Sequence, residues 1–569
     1  MTDKKESPLL KEIPTVRWTV LMLLALAMFS VYFFEDILSP LKSLLETSRG
    51  WDSLAFGTYA GSENFFNVFL FFLIFSGIIL DKMGVRFTAI LAGVLMTIGS
   101  AINWYAVTDL FTGTDLENWF TNNLNYIPLF DQLGVSPFYS GMPASAKLAS
   151  IGFMILGCGA GMATVAAMRG IVKWFSGKEL ALASGLEMAL GRLGMATCMI
   201  FSPLVAKSAN SGNADVSRSV FLGLILLIIS LIMFIAYSFA DKKLDLQTNK
   251  VEEKGDPFKI RDIGRIFISS GFWLIALLCV LYYSAILPFQ KYAVNILECN
   301  LAFTLLANNS FWTTGAATTL QYFMMLATAA TAFSSNFCKK KIRILLLACS
   351  FLLLIAVCFM TYGQQSAGAI FSVFPLLSVC ITPILGKYID QKGKAVTMLM
   401  LGSILLIACH LTFAFILPLF KGYEAGGFIV AYAVILVLGA SFSLVPAAMW
   451  PSVPKLVDKK ALGTAYALIF WIQSIGLWLF PILIGRILTS SNLDIAESLK
   501  LGSITADEAS VMYNYTYPLI MLACLGGAAL ILGFLLKIID RKNRIGLELP
   551  NLNPPIKRSA TATIQDSEI

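Results

Sequence analysis

The sequence predicts an all-α integral membrane protein built from two repeated halves, and three observations support this fold class. The chain has 569 residues, of which 57% are hydrophobic and 13% charged, whereas soluble proteins carry about a quarter charged residues. Long apolar stretches recur along the chain, and each can cross roughly 30 Å of hydrocarbon. Short charged motifs of the first half return in the second half. Because lipid offers the backbone no hydrogen bonds, the apolar stretches must be helices.

Fourteen apolar stretches are long enough to be membrane spans. They lie near 16–38, 55–80, 87–107, 148–173, 180–205, 219–240, 269–293, 316–337, 342–362, 367–389, 395–417, 427–450, 461–486 and 516–538. We expect a cytoplasmic N-terminal tail at 1–15, a six-helix half at 16–240 and a charged cytoplasmic linker at 241–268. The second half covers 269–539, and a polar cytoplasmic tail, predicted to be disordered, covers 540–569.

Basic residues concentrate in alternate loops, which is the pattern that sets the orientation of membrane proteins. The long loop from Thr108 to Ala146 contains no lysine or arginine, so we place it outside and both termini in the cytoplasm. The same bias accounts for the net charge of +8 without a nucleic-acid partner, and we expect none.

The cysteines and the histidine give no sign of a metal or redox centre. Ten cysteines form no CxxC pair, and His410 is the single histidine. The sequence also lacks a catalytic dyad and a nucleotide-binding loop. We therefore expect no metal, no cofactor and no enzymatic activity.

The two halves repeat a loop motif, G-x-x-x-D-x-x-G. It comprises Gly77, Asp81 and Gly84, followed by Arg86, in the first half, and Gly386, Asp390 and Gly393 in the second. Parallel six-span repeats of this kind are the arrangement of the major facilitator fold, and the first loop resembles the loop after the second span of that family. The resemblance implies transport by alternating access, with this loop as a conformational latch that pairs with charges and a helix terminus of the neighbouring half. Twelve spans belong to the repeat, which leaves 316–362 as an inserted hairpin.

Further motifs resemble the family of the vertebrate lysosomal dipeptide uniporter, and we interpret the chain as a bacterial relative. They are Trp174–Leu180, Gly185-Leu186, Arg192-x-Gly194, Tyr282-Tyr283 with Pro288-Phe289, Trp450-Pro451, Leu462–Tyr466, Ile472-Gln473 with Gly476-Leu477, and Asp36. In that family a fifth-span cation and a fourth-span acid hold the two ends of a zwitterionic dipeptide. The cation corresponds to Arg192, but the acidic position falls on Gly161, and Phe153 replaces a further arginine.

Arg192 is the strongest candidate for substrate binding. A charge in the middle of a span costs about 2.5–3.5 kcal/mol on insertion scales, so it needs a partner or a watery cavity. A guanidinium binds a carboxylate through two parallel hydrogen bonds. Glu187 lies about 140° around the helix from Arg192 and is therefore a poor internal partner. Glu187 or Glu63 could bind a substrate amine or carry a coupling proton; alternatively, Glu63 is an interfacial residue capped by Asn67.

Four further residues are candidates for the wall of a central cavity. Gln473 is the second-half counterpart of Arg192, and its amide can either face the solute or hydrogen-bond between helices. Tyr282, Tyr283 and Trp450 are aromatic candidates of the same kind.

The sequence thus predicts a secondary active or facilitative transporter for a small carboxylate-bearing solute, with a dipeptide or amino-acid derivative as the best guess. A proton is the one coupling ion that the acidic residues suggest. The alternative is a membrane receptor or assembly subunit on the same fold that transports nothing. We expect a monomer in the lipid bilayer of a bacterial inner membrane, with a lysosomal membrane as the alternative.

Overall fold

The structure, a computed structural model, describes residues 9–132, 136–175, 179–207, 214–248, 264, 266–301, 315–364, 366–421, 424–457 and 462–550. Most of the predicted linker, Gly177-Lys178 of the resemblance and the ends of both tails lie outside these ranges. Within them, all regular elements are helical.

Ten α-helices are described in the part of the chain up to the predicted linker, and the last of them continues into it. They are α1 (Pro14–Glu35), α2 (Lys42–Arg49), α3 (Ser53–Ser62), α4 (Phe65–Phe69), α5 (Phe72–Val107), α6 (Asp115–Asn123), α7 (Pro128–Gln132), α8 (Ala144–Phe175), α9 (Leu180–Ala206) and α10 (Val216–Thr248). Twelve more are described after it. They are α11 (Ser270–Asn300), α12 (Gly315–Ser334), α13 (Lys340–Gln364), α14 (Ala367–Phe371), α15 (Val373–Lys392), α16 (Ala395–Leu411), α17 (Glu424–Met449), α18 (Val453–Leu456), α19 (Leu462–Ser491), α20 (Leu493–Lys500), α21 (Ala506–Ser510) and α22 (Thr516–Asn543).

Twelve helical stretches in the described ranges are long and apolar enough to cross a membrane. The chain is therefore a multi-pass, all-α membrane protein, and the predicted fold class is confirmed. The count of fourteen spans is not confirmed, for two reasons. The stretch from Phe72 to Val107 is counted once, although Gly84 (φ 82°, ψ 167°) interrupts the helix α5 at the predicted boundary between the second and third spans. Helix α12, the first arm of the predicted hairpin, is not among the twelve.

The predicted second span is broken, which sequence hydropathy did not reveal. Helix α3 ends at Ser62, the short α4 ends at Phe69, and α5 begins after Phe71, whose φ of 52° is left-handed. A bulky residue at positive φ is a strained conformation. Irregular backbone at this depth is tolerated where it is buried in protein or lines a cavity, and Glu63 lies at the first break.

Within each half, long helices pack side by side, and two helix pairs form the most extensive contacts between the halves. In the first half α5 packs on α8 and α10, and α1 packs on α9; in the second, α11 packs on α19, and α16 on α22. The joining pairs are α3 with α19 and α9 with α15. The hairpin of α12 and α13 packs on α15, and Tyr322 of α12 also contacts Phe201 of α9, with ring centroids 5.4 Å apart.

Helices α3 and α19 approach so closely that only glycine fits between them. A Cβ atom at Gly57 would lie 2.3 Å from the carbonyl oxygen of Pro481, and one at Gly61 would lie 2.3 Å from that of Trp478. Tyr292 of α11 reinforces this seal, since its hydroxyl lies 3.1 Å from the carbonyl oxygens of both Ser53 and Pro481. We call this region, where α1 and α11 end, the closed end of the bundle.

The start of the predicted disordered tail is ordered instead. Helix α22 continues to Asn543, and Glu548 accepts hydrogen bonds of 2.9 Å from both the amide and the hydroxyl of Thr397 at the start of α16. A carboxylate at a helix N-terminus satisfies amide groups that have no partner inside the helix. Residues 551–569 lie outside the described part of the chain.

Candidate functional site: two buried charged centres between the halves

Arg192 of α9 reaches across to the second half and meets only neutral groups there. Its Nη1 donates to the carbonyl oxygen and the hydroxyl of Ser378, at 3.1 and 3.0 Å, and to the hydroxyl of Thr382. Its guanidinium carbon lies 5.1 Å from the ring centroid of Phe442. The side chain is 9% exposed, and the ion pairs of the described residues do not include it. A buried cation with neutral partners has its hydrogen bonds satisfied but keeps an uncompensated charge.

Aromatic rings line the second-half side of this centre. The Tyr283 ring lies 6.5 Å from both Phe442 and Trp450, and Trp450 is half-buried against Phe470 at 4.9 Å. Tyr282 is instead fully buried, and its hydroxyl bonds to Ser441 at 2.8 Å. The structure therefore brings Tyr283 and Trp450 into the surroundings of Arg192 and places Tyr282 in the packing between helices.

Glu187 belongs to the same region, although it points away from Arg192 around α9. A Cβ atom at Gly191 would lie 2.6 Å from the Tyr32 ring, so this glycine lets α1 place the tyrosine directly on α9. Glu187 is one turn before Gly191 on that face, and Tyr32 interacts electrostatically with both Glu187 and Arg192. Tyr32, which our sequence interpretation missed, thus lies near two ionisable residues of opposite charge.

Gln473 is buried on α19, as its pairing with Arg192 in the repeat implies. The one hydrogen bond described for its side chain comes from the thiol of Cys279, 3.7 Å from Oε1. Cys279 is in α11, so this contact lies inside the second half. It supports the role of a helix-to-helix contact, the second of the two roles predicted for Gln473.

The second charged centre surrounds Lys291 of α11. Its Nζ lies 3.0 Å from Oδ1 of Asp36 and 3.8 Å from Oε2 of Glu63, and it donates to the carbonyl oxygen of Glu35 at 2.6 Å. An ammonium group has three donors, and three acceptors surround this one. Lys291 therefore joins the second half to the end of α1 and to the break between α3 and α4.

The carboxylates of Asp36, Glu63 and Glu35 have different surroundings. Asp36 also accepts hydrogen bonds from the amide of Gln290 and, at 3.4 Å, from the hydroxyl of Ser39. Glu63 has the longer contact with Lys291, and Glu35 interacts electrostatically with Glu63, Lys291 and Asp36. Asp36 is consequently the carboxylate with the most hydrogen-bond and ion-pair partners among the three.

A cavity of about 210 Å³ opens beside this centre. It is lined by Tyr32, Glu35, Asp36, Ala60, Glu63, Asn64, Met195, Leu287, Pro288, Gln290, Lys291, Leu477 and Pro481. Met195 lies three residues after Arg192 and hence on the same face of α9. The two charged centres are therefore neighbours, with Tyr32 and Met195 at their junction.

The two positions that depart from the dipeptide family lie near these residues. The Phe153 ring is 5.8 Å from Nζ of Lys291 and stacks on Tyr59 at 4.6 Å. A Cβ atom at Gly161 would lie 4.0 Å from Oδ1 of Asn67, a buried atom without a hydrogen-bond partner. This oxygen can therefore accept a hydrogen bond next to Gly161.

A second polar layer closes the same end of the bundle. Asn295 and Glu298 follow Lys291 by one and two turns on the same face of α11. Asn295 donates to the hydroxyl of Ser43 at 3.1 Å and to the carbonyl oxygen of Ser510 at 2.9 Å, and Ser43 donates to Glu298. One face of α11 thus contacts the first half through three successive polar side chains.

The predicted latch residues of the first half lie at the opposite end from these layers. Gly84 interrupts the helix α5, because its φ of 82° and ψ of 167° are not helical. Glycine adopts this conformation readily because it has no Cβ atom. Arg86 pairs with Asp245 of α10 at 3.4 Å, within its own half rather than with the other half. Asp81 interacts electrostatically with Arg169 of α8. Gly77 is in the regular part of α5, and a Cβ atom there would meet nothing within 4 Å.

The second copy of the latch motif contacts the backbone of Glu548, which follows the last helix. Gly393, with φ 73°, terminates α15, and a Cβ atom there would lie 2.2 Å from the carbonyl oxygen of Glu548. Gly386 and Asp390 are in the last turns of the same helix. The two copies therefore share a motif but differ in their partners.

The fold is a polytopic helical bundle whose two halves enclose buried charged side chains. This architecture is that of a membrane transporter, and the comparison with family models supports the same class. The model of the Major Facilitator Superfamily matches residues 24–366, more than half of the chain. The chain therefore belongs to this superfamily and is a membrane transporter for a small molecule rather than an enzyme.

Curated relatives show which members of the superfamily the chain is similar to. The chain is 24% identical to the lysosomal dipeptide transporter MFSD1 of Bos taurus over 506 residues, covering 88% of this chain and 85% of the relative. The human protein of the same name is 23% identical over the same length, with 88% and 86% covered. The resemblance predicted from motifs is thus confirmed across most of the chain.

Solved structures support the fold. The nucleoside transporter NupG is similar with a TM-score of 0.54 at 12% identity, covering 91% of this chain and 99% of that one. A bacterial homologue of the human lysosomal transporter Spinster, in an inward-facing and occupied conformation, has a TM-score of 0.52 at 11% identity, covering 93% and 98%. At these identities the likeness concerns the fold alone.

Proposed function

We propose that the protein transports a small zwitterionic solute, with short peptides as the first class to test, and that Arg192 binds the carboxylate. The observation that carries this proposal is the set of partners around Arg192: two hydroxyl-bearing residues and a ring, all from the opposite half. A carboxylate can replace the hydroxyl contacts with two parallel charge-assisted hydrogen bonds. Such a substitution at the junction of the halves links solute binding to their relative position.

Glu187 supports a zwitterion rather than a simple anion. It is half-buried, and among the described ion pairs it has no basic partner, in contrast to Glu63 with Lys291. An ammonium group would neutralise it, while Arg192 neutralises the other end of the solute. Tyr32, near both, would contact the middle of the molecule, and Oδ1 of Asn67 offers a further acceptor for the amine. The names of the curated relatives, which are dipeptide transporters, point the same way.

Uptake by proteoliposomes tests the proposal. The purified chain would be offered one radiolabelled dipeptide in three forms: unmodified, with an amidated C-terminus, and with an acetylated N-terminus. We expect uptake of the unmodified form, near-complete loss with the amide and a smaller loss with the acetylated form. Equal uptake of the amidated form would rule out carboxylate recognition by Arg192.

The matched variants are Arg192→Gln, which removes the charge but keeps hydrogen-bonding capacity, and Glu187→Gln. If Arg192→Gln abolishes discrimination between the free and the amidated peptide, the two results assign the carboxylate to Arg192. Absence of uptake of any peptide by the wild type would favour the alternative, a receptor or assembly subunit.

We also propose that both termini are in the cytoplasm, because the basic loops share one side, and that the protein is a monomer. The membrane is that of a bacterial cell or, alternatively, of a lysosome. Fusing a fluorescent protein that matures only in the cytoplasm to the C-terminus tests the orientation. Fluorescence confirms it, and a dark but inserted fusion contradicts it.

A further inference from the structure

Helix α13, the second arm of the inserted hairpin, lies at the periphery of the bundle. Only 28% of its apolar stretch is buried, compared with 76% of the stretch Ala367–Lys392, which contains α15. The side chains of α13 that are more than 60% exposed are Leu345, Phe351, Leu352 and Phe359. Apolar side chains exposed along a membrane span contact acyl chains. The hairpin therefore presents a lipid-facing surface.

The turn between α12 and α13 is strongly basic. Its three consecutive lysines, Lys339, Lys340 and Lys341, are exposed, and we call them the basic tip. Arg343 follows in the first turn of α13, and the segment 334–343 contains no acidic residue. The ion pairs of the described residues include none of these four side chains. Their charges are therefore uncompensated by the part of the chain that the structure describes.

A buried serine sets the level of the hairpin against α15. The hydroxyl of Ser350 in α13 lies 3.1 Å from the carbonyl oxygen of Thr328 in α12 and 3.7 Å from Sγ of Cys380 in α15. Helix α13 runs away from the tip, and α15 runs back toward it, because the short α14 follows the far end of α13 directly. Residues at equal distances from Ser350 and Cys380, counted toward the tip, are therefore level with each other.

This register brings two cations to the same place. Arg343 precedes Ser350 by seven residues, and Lys387 follows Cys380 by seven. Seven residues are nearly two full turns and a rise of about 10 Å, so both cations lie on the facing sides of α13 and α15. Arg343 is half-buried, and Lys387 is exposed. Like charges on facing helices require an anion between them to offset their repulsion.

The charge is not offset by the acid at the end of α15. Asp390 already interacts electrostatically with Lys455 of α18. Among the described ion pairs, Lys387 has no partner. The anion that fits between Arg343 and Lys387 must therefore come from outside the described part of the chain.

The chemistry around these cations is that of a phospholipid. The side chains next to them that are more than half exposed are Phe337, Ile342, Ile344 and Leu345. The cations thus adjoin an apolar surface that continues along α13. Basic pockets between membrane helices bind the headgroups of anionic lipids. A soluble phosphate would meet the cations alone, whereas a phospholipid also covers the apolar surface with its acyl chains.

We propose that the basic tip and the facing pair Arg343 and Lys387 form a binding site for the headgroup of an anionic phospholipid. The phosphate neutralises cations of both helices, so the bound lipid fastens the hairpin to the end of α15. Helix α15 also carries Ser378 and Thr382, the hydroxyl partners of Arg192. The composition of the membrane therefore acts on a helix that surrounds the Arg192 centre.

Native mass spectrometry of the full chain in detergent tests the binding without any solute. The probes are dioleoylphosphatidylglycerol, which is anionic, and dioleoylphosphatidylcholine, which is zwitterionic and has the same acyl chains. The site variant combines Arg343→Gln with Lys387→Gln. The matched control combines Lys242→Gln with Lys243→Gln, which removes two exposed lysines at the end of α10.

We expect the wild type and the control to retain phosphatidylglycerol in preference to phosphatidylcholine. The site variant should bind phosphatidylglycerol about fivefold more weakly for each cation removed. Equal affinity of the site variant and the control, or a wild type that does not distinguish the two lipids, overturns the proposal. Displacement of the lipid by glycerol 3-phosphate would identify a site for a soluble phosphate and overturn the assignment to a lipid.

Hydrogen exchange tests the connection to α15. The wild type, the control and the site variant would be compared in nanodiscs of phosphatidylcholine, with and without one-fifth phosphatidylglycerol. We expect phosphatidylglycerol to slow amide exchange in 383–392 for the wild type and the control only, while all three proteins exchange alike in pure phosphatidylcholine. Exchange that ignores the lipid in the wild type, or equal protection in the site variant, overturns the connection. Neither measurement depends on the transported solute, so both stand apart from the proposed function.

Discussion

The Arg192 centre and the Lys291 centre both place a buried cation between the two halves, yet their surroundings differ. Arg192 meets Ser378, Thr382 and the ring of Phe442, all of which are neutral. Lys291 meets the carboxylates of Asp36 and Glu63. One cation is solvated by dipoles, and the other is neutralised by internal charges.

This difference indicates that the two centres have different roles. A cation whose charge is uncompensated attracts an anion from outside the protein, so Arg192 suits a substrate. A cation already paired with carboxylates holds the halves together, so Lys291 suits the closed end. The structure places the two centres beside one another.

The largest effect should come from breaking the Lys291–Asp36 pair. Removing one partner of a buried ion pair costs about 3–5 kcal/mol because the other charge stays buried. We expect Lys291→Met to lower the melting temperature in detergent markedly and to abolish uptake. The measurement is a thermal melt followed by intrinsic fluorescence, together with proteoliposome uptake.

The double variant Lys291→Met with Asp36→Asn provides the control. It removes both charges and should recover a large part of the lost stability without restoring uptake. If the double variant is as unstable as the sum of the two single variants, the two residues do not act as a pair.

Arg192→Lys should produce the next largest effect, and on transport rather than on stability. Hydrogen bonds to charged groups contribute about 1.5–3 kcal/mol, so loss of the paired geometry should reduce uptake roughly 10- to 100-fold. The melting temperature should change little, because an ammonium group can still be solvated by Ser378 and Thr382. A variant with wild-type uptake would contradict carboxylate binding at this residue.

Much of the fold follows from hydropathy because a span is a local property of the chain. The helices predicted at 148–173 and 180–205 are observed at Ala144–Phe175 and Leu180–Ala206. The breaks at Glu63 and Phe71 are different, since neither position carries a proline and an apolar stretch looks the same whether it is continuous or broken. Tertiary contacts, such as that of Gly157 with Glu63, determine these breaks.

The site was only partly predictable for the same reason. An arginine in the middle of a span stands out, and so does a glutamate such as Glu187. Lys291 was missed because the predicted span ended at 293, which put the lysine at the membrane surface, whereas α11 continues to Asn300. Which carboxylates would surround it depends on how α1 and the broken second span pack against α11, and hydrophobic periodicity carries no such information.

Gln473, in the second half, can be compared directly with Arg192. It corresponds to Arg192 in the repeat, but its described contact is the thiol of Cys279. A neutral hydrogen bond contributes about 1 kcal/mol, so Gln473→Leu should reduce uptake less than about fivefold, well below the effect of Arg192→Lys. A loss as large as that of the arginine variant would show that both halves bind the solute through this pair of positions.

The smallest effect should come from the latch, because its ion pair is partly exposed. Arg86 and Asp245 are 3.4 Å apart with about a third and a sixth of their side chains exposed, and exposed pairs contribute about 0.2–1 kcal/mol. Arg86→Gln should therefore leave the melting temperature nearly unchanged. Since Asp245 also contacts Lys173 at 2.7 Å, the carboxylate keeps a partner in the variant. If the latch acts only in one state of the cycle, the variant should alter the rate of uptake without altering the discrimination between the free and the amidated peptide. A changed discrimination in Arg86→Gln would mean that the latch and the Arg192 centre are coupled through the first half.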